Sequence, residues 1–528
     1  MRSYYAHLET SASQTKKIAP RHPVFRASSI FPVFHQKDLT SRILFMGYWI
    51  LKRNIQQIAA VATLRSLKGD LLARNSWTIT EAKTYRVELK ELLQQAEISL
   101  EEPFIGSLEL EFFSTVNLVY PYPATLINYY GPSFSTVVHT AQRVYNDYED
   151  MRDNTQTEVP ESGFNIYADD NHEPFIAMIN GPTTLPEGSV LLQFFNTKGK
   201  KLEHTVDVHE LQPYETFIFY PDQISDLKNF LQNDAGAGKI KFHARGIFPR
   251  LIAGNMQENP PAMAITHTYY DCSNAQKDSD YWIHSQPGWY PASLMVPLRV
   301  TDGLFTNIYF YPAYSPSQFT IDVEIFNSKG TCLGSKKEAL LIKAPMEELK
   351  RLNIAALCQE LQIPPKEDLA VRLSARPVNG SRMPSRIKIG FDIGTKKEPH
   401  MPCNICTNLH PFIPALETKP STFRWSPILA DQPNASFWIL NSSPAIDHPK
   451  TCEIKMTFFH EQDASTLHRE YTLPPNGFLA VHLQDDPELQ QFFGGQPGWC
   501  TVTATNPYTG TYYFAQSPEG IVGGDHGF

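Results

Sequence analysis

The sequence predicts an all-β protein, built as a tandem array of about four divergent Ig-like antiparallel β-sandwich modules behind a short irregular N-terminal arm. Three observations predict this. A phrase made of an apolar strand-like run, a Lys-Gly type turn and a second strand-like run recurs, starting at Ala62, Gln193, Glu324 and, in degraded form, Thr457. Aromatic residues reach 12%, which favours strands, and the 41 Pro residues suit loops between short strands. At 528 residues, the chain is also too long for a single hydrophobic core.

Matching segments surround each copy of the phrase. An aromatic-aliphatic strand precedes it, as in G-Y-W-I-L from Gly47 and S-F-W-I-L from Ser436. A strand followed by a short helical turn comes next, and its four versions start at Glu81, Glu215, Ala344 and Gly477. A turn then leads into an alternating strand such as G-S-L-E-L-E-F-F from Gly106, whose period of two predicts one face on a core and one in water. Each module therefore contains about six or seven short strands.

The repeats also set the predicted domain boundaries. Residues 1–41 form the arm, which docks through Phe31–Phe34, and the modules comprise residues 42–153, 164–270, 281–415 and 423–528. The predicted linkers are Asn154–Gly163, Asp271–Asp280 and Leu416–Thr422. Modules of this size can each hold a core of their own, unlike solenoid repeats.

Composition and charge exclude several classes of protein. The net charge of −9 comes without a long basic stripe, so nucleic acid is not an expected partner. The N-terminal region is locally basic, which predicts a solvated arm or, as the alternative, a weak contact with an anionic surface. Neither a signal peptide nor a transmembrane segment is expected, and the seven Cys residues do not form a secreted disulfide pattern. Cytoplasmic residence is the resulting expectation.

One glycine-rich segment superficially resembles a phosphate-binding loop. The segment G-A-G-K starts at Gly236, but Ile240 stands where a Walker loop needs Ser or Thr, and Asn233 stands where it needs Gly. Comparison of the repeats predicts instead a turn that enters a strand, like Gly498-Trp499 in the last module.

The segment H-M-P-C-N-I-C-T-N-L-H, residues 400–410, contains a candidate metal site. If Cys403 and Cys406 lie on a turn, both thiols can face one zinc ion, and His400 and His410 lie close enough in sequence to complete its shell. The segment also matches half of the zinc deaminase pattern, but an H-x-E segment in the right place is missing, which argues against a deaminase. Reduced thiols on a loop are the alternative.

A second candidate metal site comes from the repeat. His139, His267 and His526 fall at a similar phase near the ends of modules one, two and four, and Asp271 and Asp525 lie nearby in sequence. Imidazole is a common metal ligand and proton carrier near neutral pH. The alternative is that each imidazole closes its own module. A shared site requires the C-terminal G-G-D-H-G-F segment to fold back onto the other modules.

Aromatic, proline-rich runs are candidate ligand-binding loops. Exposed tyrosine rings on β modules can stack on sugars or dock a partner chain, although contacts between modules would use the same side chains. The candidate ligand-binding residues are Tyr120, Tyr122, Tyr311, Tyr314, Tyr508 and Tyr512.

The function that the sequence favours is a non-catalytic binding or scaffolding protein, which presents aromatic loops to a glycan or to another protein and needs no cofactor. The alternative is a metal-dependent hydrolase acting on a glycan-like substrate, with zinc or another divalent transition metal held by the His and Asp residues or by the two Cys residues. No nucleophile elbow, dinucleotide-binding fingerprint or H-E-x-x-H segment supports an enzyme.

Overall fold

The computed structural model describes most of the chain. The described residues are 23–139, 142–145, 157–224, 226–248, 250–270, 282–284, 292–300, 303–312, 318–343, 348–364, 368–378, 382–384, 387–395, 401–410, 419, 421–432, 434–442 and 450–528.

Four antiparallel β-sandwiches follow one another along the chain, and all four share one topology. Each contains eight strands, which we designate A to H in chain order. One sheet has the strand order A-F-C-D and the other has the order E-B-G-H. The prediction of an all-β tandem array of four antiparallel sandwiches is confirmed.

The strands of the first two sandwiches are as follows. Sandwich 1 contains, from A to H, β1 (Arg26–His35), β2 (Thr40–Met46), β3 (Ile58–Ser66), β4 (Leu71–Ile79), β5 (Thr84–Glu88), β6 (Phe104–Phe113), β7 (Thr125–Gly131) and β8 (Phe134–His139). The short β9 (Arg143–Val144) follows it. Sandwich 2 contains β10 (Thr157–Ile166), β11 (His172–Ile179), β12 (Gly188–Asn196), β13 (Lys201–Val208), β14 (Thr216–Phe219), β15 (Gly236–Ala244), β17 (Ile252–Gln257) and β18 (Ala262–His267). Two short strands, β16 (Ile247–Phe248) and β19 (Tyr269–Tyr270), accompany it; β16 pairs with β9, and β19 pairs with β10.

The other two sandwiches repeat the pattern. Sandwich 3 contains β21 (Ser293–Leu298), β22 (Leu304–Phe310), β23 (Phe319–Phe326), β24 (Cys332–Ile342), β25 (Lys350–Asn353), β26 (Leu369–Pro377), β28 (Ile387–Thr395) and β29 (Cys403–Leu409). A separate ribbon pairs β20 (Trp282–His284) with β27 (Arg382–Pro384). Sandwich 4 contains β30 (Thr422–Ile428), β31 (Ser436–Leu440), β32 (Cys452–Phe459), β33 (Thr466–Leu473), β34 (Phe478–His482), β35 (Gly498–Ala504), β36 (Gly510–Gln516) and β37 (Val522–His526).

Short helices lie mainly between strands E and F. They are α1 (Tyr48–Arg53), α2 (Leu89–Gln95), α3 (Pro221–Ile224), α4 (Leu227–Leu231), α5 (Ile354–Glu360) and α6 (Pro487–Phe493), with a 3₁₀ turn at Leu483–Asp485. Except for α1, they match the strand followed by a short helical turn that the sequence predicts in every repeat. Asn353 and Asp486 cap the first turns of α5 and α6 by accepting hydrogen bonds from Ala356 and Leu489.

The structure corrects the predicted start of the first sandwich. Residues 26–35, which the sequence analysis placed in an arm, form strand A and pair along their whole length with β6. Phe31, Val33 and Phe34 are buried because they belong to the sandwich core. The sequence of strand A does not alternate between apolar and polar residues, because the strand is buried at nearly every position. Sandwich 1 therefore begins at Arg26.

Contacts divide the chain into two compact units, each containing two sandwiches. The first comprises Met1–Asn196 and Lys201–Tyr270, and the second comprises Thr197–Lys200 and Asp271–Phe528. In the second unit one apolar core continues from sandwich 3 into sandwich 4, where it includes Trp438, Phe478 and Tyr512. In the first, the core of sandwich 2 takes in Ile30 and Val144 from the preceding sandwich. The structure also corrects one predicted linker, because Thr157–Gly163 of the segment Asn154–Gly163 belongs to strand β10 and pairs with β15, so sandwich 2 begins at Thr157 and not at residue 164. The predicted linker Asp271–Asp280 and most of Leu416–Thr422 lie outside the described residues.

Within the described part of the chain, no helix is both long and apolar enough to cross a membrane. Cytoplasmic residence stays a prediction.

Candidate functional site

The two sandwiches of each unit pack through their H strands. In the first unit, β8 lies against β18, and in the second, β29 lies against β37. The contact between β8 and β18 is fixed at both ends. The Ser133 hydroxyl, just before β8, donates to the carbonyl oxygen of Pro261, just before β18, at 2.8 Å. At the other end His139 and His267 meet, so the two strands run side by side in the same direction.

His139 and His267 form a close pair of imidazoles. Each is the last residue of its H strand and is buried, with 7% and 1% of its surface exposed. Their ring centroids are 4.7 Å apart, and the ring planes are nearly perpendicular at 87°. Their ligand nitrogens lie within 4.8 Å of each other. The structure thus brings together two of the three histidines that the sequence places at the same phase.

The third histidine has the same place in its own sandwich. His526 is the last residue of β37, in the second unit, and its Nδ1 lies 3.0 Å from the Gly527 carbonyl oxygen. The neighbouring Asp525 is buried and accepts the backbone N–H of His526 at 2.8 Å. The C-terminal glycine-rich segment thus forms an edge strand. A site shared by all three histidines stays a prediction, and Asp271 lies outside the described residues.

Cys403 and Cys406 lie in strand β29 and not on the turn that the sequence analysis expects. They pair with Ile393 and Gly390 of β28, and because they are three residues apart on a strand, their side chains point to opposite faces. Burial raises the pKa of the Cys403 thiol well above its ordinary value, and the nearby Asp525 raises it further. This geometry corrects the expectation that both thiols face one ion. His400 is not among the described residues.

The predicted ligand-binding tyrosines divide into buried and accessible residues. Tyr311 and Tyr512 are buried in the second unit, where the Tyr311 hydroxyl donates to Asn404 at 3.3 Å. They form part of the sandwich interior and cannot stack on a ligand. Tyr120 is 44% exposed, whereas Tyr122 is half-buried against Phe248. Tyr508 is also half-buried, and Tyr314 lies outside the described residues.

The Lys-Gly turn between strands C and D joins the two sandwiches of each unit. In the first unit, the carbonyl oxygen of Leu67 accepts the backbone N–H of Thr216 at 2.9 Å. In the second, the carbonyl oxygen of Ser328 accepts the backbone N–H of Phe478 at 3.1 Å. Thr216 and Phe478 are both the first residues of their E strands. The two units therefore use one equivalent contact.

The glycine of each turn allows this close approach. Gly69 and Gly330 have φ values of +92° and +75°, which favour glycine. A Cβ atom would lie 2.2 Å from the Pro213 carbonyl oxygen at Gly69 and 2.0 Å from the Pro475 carbonyl oxygen at Gly330. From the sequence, this turn is recognisable only as a marker of the repeat. Its role in docking the next sandwich was missed because the partner proline is distant in sequence.

In each unit, an arginine of the sandwich that carries the Lys-Gly turn contacts the loop just before strand E of the next sandwich, which we call the docking loop. The docking loop contains Pro213 in the first unit and Pro475 in the second. The residue after this proline has positive φ in both units, 62° at Tyr214 and 59° at Asn476. The Arg65 guanidinium lies 4.0 Å from the centroid of the Tyr214 ring, and Arg372 donates to the Asn476 side chain at 2.8 Å. Both arginines are also paired across strands C and F. Arg65 on strand C contacts Glu109 on strand F at 3.0 Å, whereas Arg372 on F contacts Glu324 on C at 2.9 Å. The arginine and the glutamate therefore lie on opposite strands in the two units. In both units, however, an ion pair joins strands C and F, and its arginine contacts the docking loop.

A buried asparagine of the sandwich that contains the docking loop donates hydrogen bonds to the backbone of that loop. Asn180 follows strand B of sandwich 2, and its amide donates to the carbonyl oxygens of Leu211 and Gln212 at 3.2 and 2.8 Å. Asn441 follows strand B of sandwich 4 and donates in the same way to Leu473 and Pro474, at 3.3 and 2.8 Å. The signal in the sequence is an Asn directly after the aliphatic end of strand B. The loop to which this Asn donates follows about 30 residues later, so the local sequence does not identify the contact.

The D strands are exposed sheet edges. Each lies at one end of its A-F-C-D sheet. Strand A lies at the other end, except in sandwich 2, where β19 lies beyond it. In β13 and β33, outward-facing polar residues alternate with partly buried ones. Both strands pair with strand C without any shift of register. In contrast, the pairings of β4 and β24 contain irregularities, at Leu64/Arg65 and at two places along β23.

Two surface cavities lie in the second unit. One of about 410 Å³ lies beside the irregular D strand of sandwich 3 and is lined by residues including Asp322, Lys337 and Arg376. The other, about 510 Å³, lies in sandwich 4 between Asp431 and Gln490. Neither lining includes a His, Cys or Ser side chain, so neither cavity presents an imidazole base or a Cys or Ser nucleophile.

Comparison with known proteins yields no family. No protein-family model matches the chain, and no curated protein matches it. In contrast, 18 chains of solved structures match. One is the tetra-tandem repeat in the extending region of a large adhesion protein, 8% identical over 89% of this chain and 90% of that chain, with a TM-score of 0.09. Another is tripeptidyl peptidase 2, 8% identical over 72% of this chain and 40% of that chain, with a TM-score of 0.11. At these TM-scores neither likeness carries an argument, and the fold rests on the strand pairing itself.

Proposed function

We propose that this chain is a non-catalytic, protein-binding scaffold, and that an extended segment of a protein partner pairs with the D strands of sandwiches 2 and 4. The observation that carries this proposal is the difference between the H strands and the D strands, which both lie at sheet edges. The H strands are packed inside each unit, whereas β13 and β33 are regular, accessible edges. An exposed edge strand offers unpaired backbone N–H and C=O groups to another chain.

The choice of β13 and β33 follows from their regular pairing. Irregular pairing and residues with positive φ bend an edge away from a partner, and β24 has both, including Glu338 at φ 51°. The outward residues of β13 include Lys201, Glu203 and Asp207, so charge complementarity would select the partner.

A protein partner has better support than a glycan. Stacking on a sugar needs exposed rings, and Tyr311 and Tyr512 are buried. Among the residues that the structure describes, the support for a metal-dependent enzyme is the His139–His267 pair.

Adjacent proline substitutions test the proposal. Along an edge strand, successive N–H groups point alternately toward the neighbouring strand and toward solvent. Of Glu470→Pro and Tyr471→Pro in β33, one therefore breaks the pairing with β32, while the other removes only an outward N–H. Thermal unfolding identifies the variant that keeps its stability. Thr205→Pro and Val206→Pro form the matching pair in β13.

The two proline substitutions that leave stability unchanged, one in each strand, are then combined in one chain. This variant should fail to retain proteins that the unsubstituted chain retains from a cell lysate. Hydrogen exchange should show that a retained protein, once purified, protects β13 or β33. Retention that is unchanged by the prolines, or protection confined to other strands, would refute the proposal.

A further inference from the structure

We propose that His139 and His267 are two ligands of a late divalent transition-metal ion, which cross-links the H strands of sandwiches 1 and 2. The proposal concerns the first unit and is independent of the partner proposed above. Imidazole nitrogens suit zinc, cobalt, nickel and copper, whereas magnesium and calcium prefer oxygen ligands.

The distance between the ligand atoms is close to what such an ion needs. Two nitrogens bound to one tetrahedral zinc ion, at about 2.0–2.1 Å each, lie about 3.4 Å apart. The nitrogens of His139 and His267 already lie within 4.8 Å of each other. A change of side-chain torsion angle in one or both rings would close the remaining distance.

The backbone around the pair is held from several directions. The contact between Ser133 and Pro261 fixes the start of the two strands. Beyond His139, the side chain of Gln142 donates to the Ile179 carbonyl oxygen at 2.8 Å and accepts the Ile179 N–H at 2.7 Å. Beyond His267, the backbone N–H of Thr268 donates to the Leu251 carbonyl oxygen at 2.9 Å. Ligands on backbone this well supported bind an ion with little loss of conformational entropy.

The orientation of the rings is compatible with a shared ion, although edge-to-face packing of aromatic rings is perpendicular as well. A perpendicular arrangement lets the nitrogen lone pairs of two rings converge on one point, which parallel stacking prevents. Bound there, the ion would link the H strands of two sandwiches that also meet at the docking turn, in the β9–β16 pair and where β1 lies against β11. Its role would be structural.

The test uses the full-length chain, freed of metal with a chelator and then titrated with Co²⁺. Bound cobalt gives visible absorption bands whose intensity reports the geometry of the site. We expect one Co²⁺ per chain at this pair, displaced by Zn²⁺, and a rise in the midpoint of thermal unfolding when Zn²⁺ is added. His139→Ala and His267→Ala should each weaken binding by at least tenfold and abolish the rise.

His172→Ala is the matched control. His172 is a buried histidine of the same unit, and its nitrogens contact Asp169 at 2.8 Å and Gln257 at 3.1 Å. This variant should bind cobalt like the unsubstituted chain. Circular dichroism in the absence of metal checks that all three variants fold, and the Gln substitution at the same position replaces any Ala variant that does not. No saturable cobalt binding by the unsubstituted chain, or binding that survives both substitutions, would overturn the proposal.

Discussion

The backbone N–H of Phe478 donates to the carbonyl oxygen of Ser328 at 3.1 Å, which joins the first residue of strand E in sandwich 4 to the Lys-Gly turn of sandwich 3. Thr216 and Leu67 make the same contact in the first unit, at 2.9 Å. The most recognisable repeat in the sequence is therefore the part of one sandwich that docks on the next.

We predict that Gly330→Ala destabilises the second unit by roughly 3 kcal/mol or more. Left-handed backbone alone costs an L-residue about 1–2 kcal/mol. The new methyl group would also lie 2.0 Å from the Pro475 carbonyl oxygen, so the docking loop has to move. Urea unfolding measures the loss. Gly494→Ala is the control, because Gly494 also has positive φ but no described atom lies within 4 Å of its added Cβ. Equal losses in the two variants would mean that the docking contact contributes nothing.

Asn441→Asp should destabilise sandwich 4 by about 2–4 kcal/mol. The amide nitrogen of Asn441 donates to the carbonyl oxygens of Lys450, Leu473 and Pro474 at 2.7, 3.3 and 2.8 Å. A carboxylate of the same shape cannot donate, and it would face three acceptors in a buried site. Urea unfolding measures this loss too. Asn476→Asp is the comparison, because the Asn476 side chain uses its oxygen to accept from Arg372, and its carboxylate would keep that bond. A loss at Asn441 no larger than at Asn476 would contradict the bracing role.

The stability of sandwich 4 should fall in acid through Asp486. Burial by itself raises the pKa of this carboxyl, but hydrogen bonds from Arg469 and from the Leu489 N–H hold the pKa below its ordinary value of 3.8. A depressed pKa in the folded state means that the ionised carboxylate stabilises the fold. Its contribution is fully present above the unfolded-state pKa and is lost as the pH falls through the lower folded-state pKa.

Asp486→Asn isolates this charge, because an amide oxygen can still cap α6. We expect a loss of about 1 kcal/mol at neutral pH and a smaller loss of stability on acidification, measured by urea unfolding across the acid range. Glu488→Gln is the control, since Glu488 also contacts Arg469, at 2.7 Å, but is 67% exposed. An acid dependence that Asp486→Asn leaves unchanged would assign it to other carboxyls.

Thiol labelling should distinguish the cysteines by their place in the sandwiches. Cys332 is exposed at the start of β24, whereas Cys403 and Cys500 are buried and burial holds their thiol pKa values well above the ordinary value. A maleimide should therefore label Cys332 in the folded chain, and the other two only after unfolding, as mass spectrometry would show. When the chain is labelled during unfolding in urea, added Zn²⁺ should not slow the labelling of Cys403 or Cys406. Slower labelling of both in the presence of zinc would restore the metal site that their opposite orientation on β29 argues against.

Much of the fold could be predicted because strand patterns are local. Alternation of apolar and polar residues, as along Cys452–Phe459, records which face of a strand is buried. Along Gly106–Phe113 the same pattern predicts a water-facing side wrongly, because Glu109 is buried against Arg65. The four-fold recurrence of one rhythm then predicts four similar sandwiches. The first strand was missed because Arg26–His35 is buried at nearly every position and so shows no alternation.

The candidate sites were only partly predictable. The phase of His139 and His267 identified equivalent strand ends, but sequence phase does not say that two strand ends meet. The Cys403–Cys406 spacing suits a turn, and the residues around it form a strand that turns the two thiols apart. Tyr311 and Tyr512 look like loop residues because prolines and glycines surround them, yet both are buried.

By itself, the sequence determined the all-β class, the four repeats and the Lys-Gly turns, because these depend on interactions between residues close together in the chain. The tertiary structure decided what those turns touch, how the sandwiches pair within each unit, and which histidines lie together. These features depend on contacts between residues more than 100 positions apart, such as Leu67 with Thr216 or His139 with His267. Packing selects such pairs, and no local pattern encodes them.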